Sequence, residues 1–279
     1  MTYSIDELYV KKARIYRPVL EAGFSSARWE AEGLARIFKR YGVGAKAGNR
    51  PKVLDVSCGI GRHSIRLAKM GYEVVGFDFS PHFLRKARTL RRQAGLSGDV
   101  LRFYEGDTAN IEKTLRSRGE SGFDAIICMD TSLVRSTLKK EIELLRSMYG
   151  LAKEKAILVI ETANRESFLK YRSLHSFPFV QSFSNGKLQR HVRAGYDERT
   201  KHIKGEWQFF RKLRNGDLKY LASVEFDSVI HSQKDLRKIL EVAGWVHVQD
   251  FGSVAKLNKL SSDSYHIVMV GKKPPSTDF

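Results

Sequence analysis

Residues 53–80 decide the fold, and they read VLDVSCGIGRHSIRLAKMGYEVVGFDFS. The run Lys52–Ser57 is nearly all apolar, which is typical of a strand buried on both faces of a parallel sheet. A glycine turn follows, then a stretch with helical periodicity at about Arg62–Met70, and then a second apolar run at Glu73–Asp78. Strand, turn, helix and strand in this order predict a βαβ unit.

The same alternation continues toward the C-terminus. Ser80 and Pro81 open the next helix, because a serine side chain can cap free N–H groups and proline suits the first helical turn. The other predicted strands lie at Val100–Glu105, Phe123–Met129 and Ala156–Glu161, and the other helices at Pro81–Gln93, Ile111–Arg118 and Thr137–Leu151. This pattern predicts a parallel sheet with right-handed crossovers.

Three segments surround or interrupt this pattern. Residues 1–50 are predicted to form a helical cap, with helical spacing from Ser25 to Tyr41. Residues 51–164 and 231–279 form the α/β domain, which ends with a helix and two strands, predicted at Gln233–Ala243, Trp245–Phe251 and Tyr265–Gly271. Residues 165–230 carry hairpin signals and predict an antiparallel insertion, a lid or substrate wall, with strands at Lys187–Tyr196, Lys201–Leu213 and Lys219–Val229.

The composition excludes several classes of protein. Hydrophobic residues make up 42% of the 279, which is enough for a packed core, and the longest apolar runs are far shorter than the roughly 20 residues of a membrane span. Two cysteines, Cys58 and Cys128, cannot build a disulfide framework or a cysteine-based zinc site, and we expect free thiols. Without a signal-like N-terminus we expect a cytoplasmic protein. The net charge of +18 (49 basic, 31 acidic residues) attracts polyanions, unless it is simply a solvated surface.

The glycine turn has the chemistry of a cofactor loop. Gly59 and Gly61 let the backbone turn sharply beside a ligand, and Asp78, at the tip of the second strand, can accept hydrogen bonds from a ribose diol. A dinucleotide site requires a third glycine, but Ser64 or Arg62 stands there, depending on the register. Asp55 at the start of the loop instead suits an ammonium group, such as that of a methionine tail.

Two later strand ends extend the same edge of the sheet. Asp107 follows the third strand and could receive an adenine amino group, and Asp130 follows the fourth strand. Ligands of open α/β folds bind at this edge. Acidic residues at successive strand ends, after a helix and a glycine loop, therefore predict an adenosine site.

Residues 52–161 resemble the core of class I S-adenosylmethionine-dependent methyltransferases, and the rest resembles small members with a β-rich insertion before the last helix and strands. The resemblance implies a doubly wound, mostly parallel seven-stranded α/β sheet whose last strand is antiparallel. It implies S-adenosylmethionine as cofactor, with the glycine loop on the methionine tail, Asp78 on the ribose, and Asp107 with Thr108 on the adenine. The cofactor-binding residues predicted in this way are Asp55, Ser57, Cys58, Gly59, Gly61, Asp78, Phe79, Asp107, Thr108, Met129 and Asp130.

The sequence departs from the family in ways that bear on function. Ser57 stands where glycine is usual, and the run after the fourth strand reads Asp130-Thr131-Ser132-Leu133-Val134. The motifs that serve methylation of adenine N6 and cytosine C5 are missing. The expected acceptor is a nitrogen or oxygen of a small molecule. An RNA methyltransferase and an inactive cofactor-binding regulatory subunit are the alternatives, with a nicotinamide oxidoreductase last.

The RNA alternative depends on the insertion. Between Gln181 and Tyr220 it carries ten Lys or Arg against four acids, interleaved with aromatic residues such as Trp207, Phe209 and Phe210. These rings could stack on bases, or they could pack on the core. The predicted helix Pro81–Gln93 carries a basic run, which predicts a solvated face. Its members are Arg85, Lys86, Arg88, Arg91 and Arg92.

Methyl transfer needs no catalytic nucleophile, so none is assigned. If a base is required, Asp130, His191 or Tyr196 are the candidates. His63 is predicted either to pack or cap its helix or to contact a ligand. No histidine has metal-ligand spacing, and His175, His191, His202, His231 and His247 are predicted to be surface or structural residues, with no metal site.

Overall fold

Two β-sheets organise the computed structural model, which describes residues 2–46, 48–130, 133, 137–171 and 179–275. The helices are α1 Ile5–Val10, α2 Ala13–Ala22, α3 Ala27–Arg40, α4 Arg62–Lys69, α5 Pro81–Gln93, α6 Ile111–Arg116, α7 Leu138–Leu151, α8 Arg165–Tyr171 and α9 Gln233–Val242. The strands are β1 Thr2–Ser4, β2 Lys52–Val56, β3 Glu73–Asp78, β4 Leu101–Glu105, β5 Phe123–Cys128, β6 Ala152–Ala163, β7 Phe179–Phe183, β8 Leu188–Asp197, β9 His202–Lys212, β10 Leu218–Val229, β11 Val246–Phe251 and β12 His266–Lys272.

The larger sheet has seven strands in the order β11-β12-β6-β5-β2-β3-β4. Strands β2 to β6 pair in parallel, whereas β12 runs antiparallel to both β6 and β11. Buried apolar side chains form one core on each face of this sheet. The predicted doubly wound α/β fold, with its antiparallel last strand, is therefore confirmed.

Local signals at the helix ends explain much of this geometry. The Ser80 hydroxyl caps α5 by accepting a hydrogen bond from the Phe83 N–H (3.3 Å), with Pro81 in the first turn, as predicted. Arg88 and Arg91 of the same helix donate to backbone carbonyl oxygens of β4 at 3.0 and 2.9 Å. That part of the basic face is therefore not simply solvated, because it joins α5 to the edge strand.

The smaller sheet has five strands in the order β1-β10-β9-β8-β7. Strands β7 to β10 are antiparallel, which confirms the three predicted strands of the insertion and adds β7. Strand β1 pairs in parallel with β10. The helical character of residues 1–50 holds for α1 to α3, but the sequence did not indicate that this segment also contributes a strand to the insertion's sheet.

A third apolar core joins the N-terminal helices to the insertion. It includes Leu8 of α1, Tyr16 of α2 and Phe209 of β9. Phe209 is fully buried, and Trp207, two residues earlier on the same face, stacks on Tyr16 with ring centroids 5.9 Å apart. Phe210 alternates to the other face. The aromatic residues of the insertion therefore lie on two faces of the sheet. Trp207 and Phe209 pack on the core, which was one of the two interpretations predicted from the sequence.

The structure also bears on the cysteines, on metal binding and on membrane spans. Cys58 and Cys128 are buried thiols that are not joined in a disulfide, as expected. Among the described residues, no three His, Cys, Asp or Glu side chains lie together as a metal site. In the same part of the chain, no helix combines the length and apolar character needed to cross a bilayer.

Candidate active site

A cavity of about 360 Å³ lies at the carboxyl ends of β2, β3 and β5 and is covered by α2 and α3. Parallel strands expose their loops at this edge, so loops that are distant in sequence meet there. Eight of the eleven predicted cofactor-binding residues line the cavity: Asp55, Ser57, Cys58, Gly59, Asp78, Phe79, Met129 and Asp130. Gly61, Asp107 and Thr108 do not line it.

The loop after β2 is locked to the end of β3. The Gly59 N–H donates to Asp78 Oδ2 at 2.9 Å, and the Ser80 N–H donates to Asp78 Oδ1 at 2.8 Å. Gly59 has φ of +55° and Ser57 has φ of +59°, both in the left-handed region. A non-glycine residue there is strained, which explains why glycine is usual in place of Ser57. The Asp78 carboxylate thus organises the loop and faces the cavity.

Asp55 lies at the floor of the cavity and is only 2% exposed. Its carboxylate accepts a hydrogen bond from the Ser64 hydroxyl. Burial raises the pKa of Asp55 above its ordinary value, although His63, Ser64 and Arg62 act in the opposite direction. A cationic ligand beside Asp55 would therefore replace hydration that the carboxylate has lost.

Gly61 has a packing role that is separate from the cavity. It has φ of +78°, and a Cβ atom added there would lie 2.8 Å from Cζ of Phe103 on β4. Only glycine lets the start of α4 approach the sheet this closely. Contact of Gly61 with the cofactor stays a prediction.

Asp107 and Thr108 lie at the end of β4, beside the edge of the cavity. The Gly106 N–H donates to the Asp78 carbonyl oxygen at 3.1 Å, which fixes this turn next to β3. The exposed Asp107 carboxylate caps a short 3₁₀ turn by accepting from the Ala109 N–H at 2.9 Å. Its position is adjacent to the ribose end of the predicted site, and adenine binding by this turn stays a prediction.

An ion-pair network that the sequence did not indicate crosses the mouth of the cavity. Arg62, at the start of α4, bonds both to Glu30 of α3 and to Asp130 after β5. His63 Nε2 lies 2.7 Å from Glu30 Oε2. Burial by itself raises the pKa of Glu30, but the hydrogen bond to His63 and the charge of Arg62 prevail and hold it at about 2. The network ties the N-terminal helices to the strand ends.

Near this network lies another buried carboxyl group, one that the sequence did not single out. Glu161, near the end of β6, is 5% exposed, and its Oε1 is 3.7 Å from His266 Nδ1 on β12. Burial, followed by repulsion from Asp130 and Glu30, raises the pKa of Glu161 to about 8. Nothing in the local sequence distinguishes Glu161 from an ordinary residue at a strand end.

The cavity has the opposite charge from the molecule as a whole. Four carboxylates line it (Glu30, Asp55, Asp78 and Asp130) against one guanidinium, that of Arg62. Its apolar wall contains the rings of Tyr9, Tyr16, Phe79 and Phe83. In a chain with net charge +18 this local excess of acid favours a cationic ligand with an apolar or aromatic part. The sulfonium and ammonium groups and the adenine ring of S-adenosylmethionine fit this set of side chains.

The three candidate bases are not brought together. Asp130 lies at the cavity, with φ of +57° and a side chain that is 53% exposed. The ring of His191 on β8 packs against Phe210, 4.6 Å between centroids, and the ring of Tyr196 packs against Phe168 at 5.7 Å. Neither of these two lines the cavity, so Asp130 alone is positioned to act there. His175 lies outside the described residues.

The chain is similar to known methyltransferases. A family model described as "Methyltransferase domain" matches residues 49–244. A glycine/sarcosine N-methyltransferase of Parasynechococcus marenigrum (strain WH8102) is 32% identical over 148 residues, covering 52% of this chain and 48% of that protein. A glycine/sarcosine/dimethylglycine N-methyltransferase of Actinopolyspora halophila is 30% identical over 156 residues, 55% of this chain and 26% of that one.

The fold is also shared with solved structures. A crystal structure of an S-adenosylmethionine-dependent methyltransferase from Clostridium acetobutylicum ATCC 824 superposes with a TM-score of 0.73 at 15% identity, over 95% of this chain and 98% of that one. The match therefore includes the insertion and the N-terminal helices. By contrast, the chain spans about half the length of the first curated relative and about a quarter of the second.

Proposed function

Because this chain belongs to the family of methyltransferase domains, we propose that it is an enzyme that transfers a methyl group from S-adenosylmethionine to a nitrogen atom of a small molecule. The acidic cavity at the ends of β2, β3 and β5 carries this proposal. The resemblance to class I methyltransferases that the sequence predicted agrees with the family match and with the shared fold.

The cofactor would be held by residues on the two loops that Asp78 joins. Asp55 would face the ammonium group of the methionine tail, and the Asp78 carboxylate, oriented by the Gly59 and Ser80 N–H groups, would accept hydrogen bonds from the ribose. Phe79 and Phe83 offer apolar contact for the adenine. When bound, the cofactor supplies an electrophilic methyl group on a sulfonium, and the rate depends mainly on how the acceptor is positioned.

The acceptor would enter where Arg62 holds Asp130 at the mouth of the cavity. Asp130 and Glu30 present carboxylate oxygens there, and amines bind such oxygens through their N–H groups. A protonated amine must lose a proton before its nitrogen can attack the methyl group, and Asp130 is placed to accept that proton. The two curated relatives named above are N-methyltransferases of small amino acids, which supports nitrogen as the target atom.

Binding and transfer are tested separately. Calorimetry with S-adenosylmethionine, S-adenosylhomocysteine and NAD is expected to give binding for the first two only, and binding of NAD alone would contradict the class of enzyme. Transfer of a labelled methyl group is then measured to glycine, sarcosine and amino sugars, with the matching hydroxy compounds as controls. Label on the amines alone is expected, whereas label only on the hydroxy compounds would rule out nitrogen.

The alternatives give different results in the same assay. Labelling confined to RNA from a cell extract would favour an RNA methyltransferase, and cofactor binding without transfer to any fraction would favour a regulatory subunit. Because we assign Asp130 to the acceptor, and not to the cofactor as predicted from the sequence, an Asp130→Asn variant is expected to bind S-adenosylmethionine within about threefold of wild type but to lose at least about tenfold in kcat/KM for the amine. Asp217→Asn, an exposed carboxylate on the β9–β10 turn, is the matched control.

A further inference from the structure

A second cavity, of about 700 Å³, lies between α2 and two turns of the smaller sheet. The turns are β7–β8, with Ser184-Asn185-Gly186, and β9–β10, from Leu213 onward. The Lys212 N–H donates to the Lys187 carbonyl oxygen at 3.0 Å, which holds the two turns side by side. The relative position of these two turns is therefore fixed by a main-chain hydrogen bond.

The charge of this cavity has one sign only. Its lining includes five cationic side chains and no acidic one: Arg14, Lys187, Arg211, Lys212 and Arg214. Across the described residues none of the five is in an ion pair. Asp217, in the β9–β10 turn, is outside the lining, and its carboxylate accepts from the Asn215 side chain at 2.6 Å. The cations are thus left without internal compensation.

Arg14 also lies near α5, where burial, followed by the positive charges of Arg17, Arg85 and Arg14, lowers the pKa of His82. Like charges gathered in one place destabilise a fold, and such an arrangement is typical of a surface that meets an anion. Apolar side chains of Ile15, Pro18 and Leu188 line the same cavity, so a ligand there would be partly desolvated.

Helix α2 separates this cavity from the candidate active site. At 100° per residue, Arg14, Ile15 and Pro18 lie within one arc of the helix, whereas Tyr16, Val19 and Leu20 lie within the opposite arc and line the acidic cavity. The two faces of one short helix therefore border cavities of opposite charge. A ligand in the basic cavity would be divided from the transferred methyl group by α2.

We propose that this basic cavity is a binding site for a chain of phosphates, which anchors α2 against the insertion and is distinct from the site of methyl transfer. Multiple phosphates match five convergent cations better than a single carboxylate does, and both Arg and Lys are common phosphate ligands. The phosphates could belong to a free polyphosphate compound or to a strand of nucleic acid. The recognition chemistry is the same in both cases.

The test compares two double variants that lose the same charge. Arg14→Gln/Arg211→Gln removes one lining cation from α2 and one from β9, and Lys234→Gln/Lys238→Gln removes two exposed cations from α9. The probes are inorganic tripolyphosphate and a single-stranded oligouridylate of about twelve nucleotides. Binding is measured by calorimetry and fluorescence anisotropy at roughly 50 and 200 mM salt, because phosphate contacts weaken steeply as salt rises.

Wild type is expected to bind at least one probe saturably. The cavity variant should bind it at least about tenfold more weakly, and the α9 variant should stay within about threefold. Tripolyphosphate that competes with the oligonucleotide indicates that a free polyphosphate suffices, and binding of the oligonucleotide alone indicates a nucleic-acid strand. Absence of binding to both probes at low salt, or equal weakening in the two variants, would overturn the proposal.

Misfolding of the cavity variant can be distinguished from loss of the phosphate site. Because removal of two of five like charges relieves repulsion, the cavity variant is expected to have a Tm equal to or above that of wild type. Its affinity for S-adenosylmethionine should be unchanged, since the cofactor cavity lies on the other face of α2. Loss of both ligands together would show that the cavity is not a separate site, and would also overturn the proposal.

Discussion

Substitution of Glu161 by Gln is expected to change how the stability of the protein depends on pH. The side chain is 5% exposed near the end of β6, and its carboxyl group faces the negative charges of Asp130 and Glu30, with Arg62 acting against them. Burial and this repulsion raise its pKa from 4.5 to about 8. The carboxyl group therefore resists ionisation in the folded state but not in the unfolded chain.

The sign follows from the two pKa values. Below pH 4.5 the group is protonated in both states and costs nothing. Between pH 4.5 and about 8 the unfolded chain ionises while the folded protein keeps its proton, so the free energy of unfolding falls as pH rises, and above about 8 the loss is complete. At roughly 1.4 kcal/mol per pKa unit, the shift of about 3.5 units corresponds to a loss of up to about 5 kcal/mol.

The assay is denaturation by urea at pH 5, 7 and 9, for wild type and Glu161→Gln. The wild-type free energy of unfolding should fall by several kcal/mol more than that of the variant between pH 5 and 9, whatever the amide itself costs at a fixed pH. Glu105→Gln, an exposed carboxyl at the end of β4, is the control and should keep the wild-type slope. Parallel slopes for wild type and Glu161→Gln would refute the reasoning.

Three further predictions follow from other contacts. Gly33→Ala places a Cβ atom 1.7 Å from the Val254 carbonyl oxygen, so a loss of more than about 2 kcal/mol is expected in thermal denaturation despite the better helix propensity of alanine, and an unchanged Tm would contradict this packing. Asp78→Asn should weaken S-adenosylmethionine at least about tenfold in calorimetry while the circular dichroism spectrum stays native, and an unchanged Kd would remove the ribose assignment. Glu30→Gln leaves the charge of Arg62 less compensated and should cost about 2–3 kcal/mol at pH 7. Because the pKa of Glu30 is about 2, the stability that its carboxylate contributes is lost as pH falls from 4.5 through 2, so the variant and wild type should converge there, and a constant difference would contradict the network.

Short-range patterns in the sequence were enough for the fold and for the part of the cavity lining that comes from the glycine loop and the strand ends. Alternating apolar runs and helical periodicity predicted β2 to β6 and the helices between them, because burial on a parallel sheet is visible within a window of a few residues. The glycine loop and the acidic strand ends were predictable for a related reason. The carboxyl ends of parallel strands must share one edge, so the residues just after them meet there whatever the loops contain.

The pairing of distant residues was decided only by the tertiary structure. Glu30 meets Arg62 and His63 across more than 30 residues, and the basic cavity joins Arg14 to Arg211. Which side chain faces which depends on how α2, α3 and the insertion pack, and local composition carries no information about that packing. Burial is likewise a property of the folded molecule.

The sequence by itself therefore determined the class of fold, the edge of the sheet where the acidic cavity lies and the residues that the glycine loop and the strand ends contribute to it. It did so because periodicity and strand ends are local features of the chain. Only the tertiary structure decided which carboxyl groups are paired, which one keeps its proton near neutral pH, and that one helix separates an acidic cavity from a basic one. These properties arise from desolvation and from charges that are brought together by packing, and neither exists before the chain has folded.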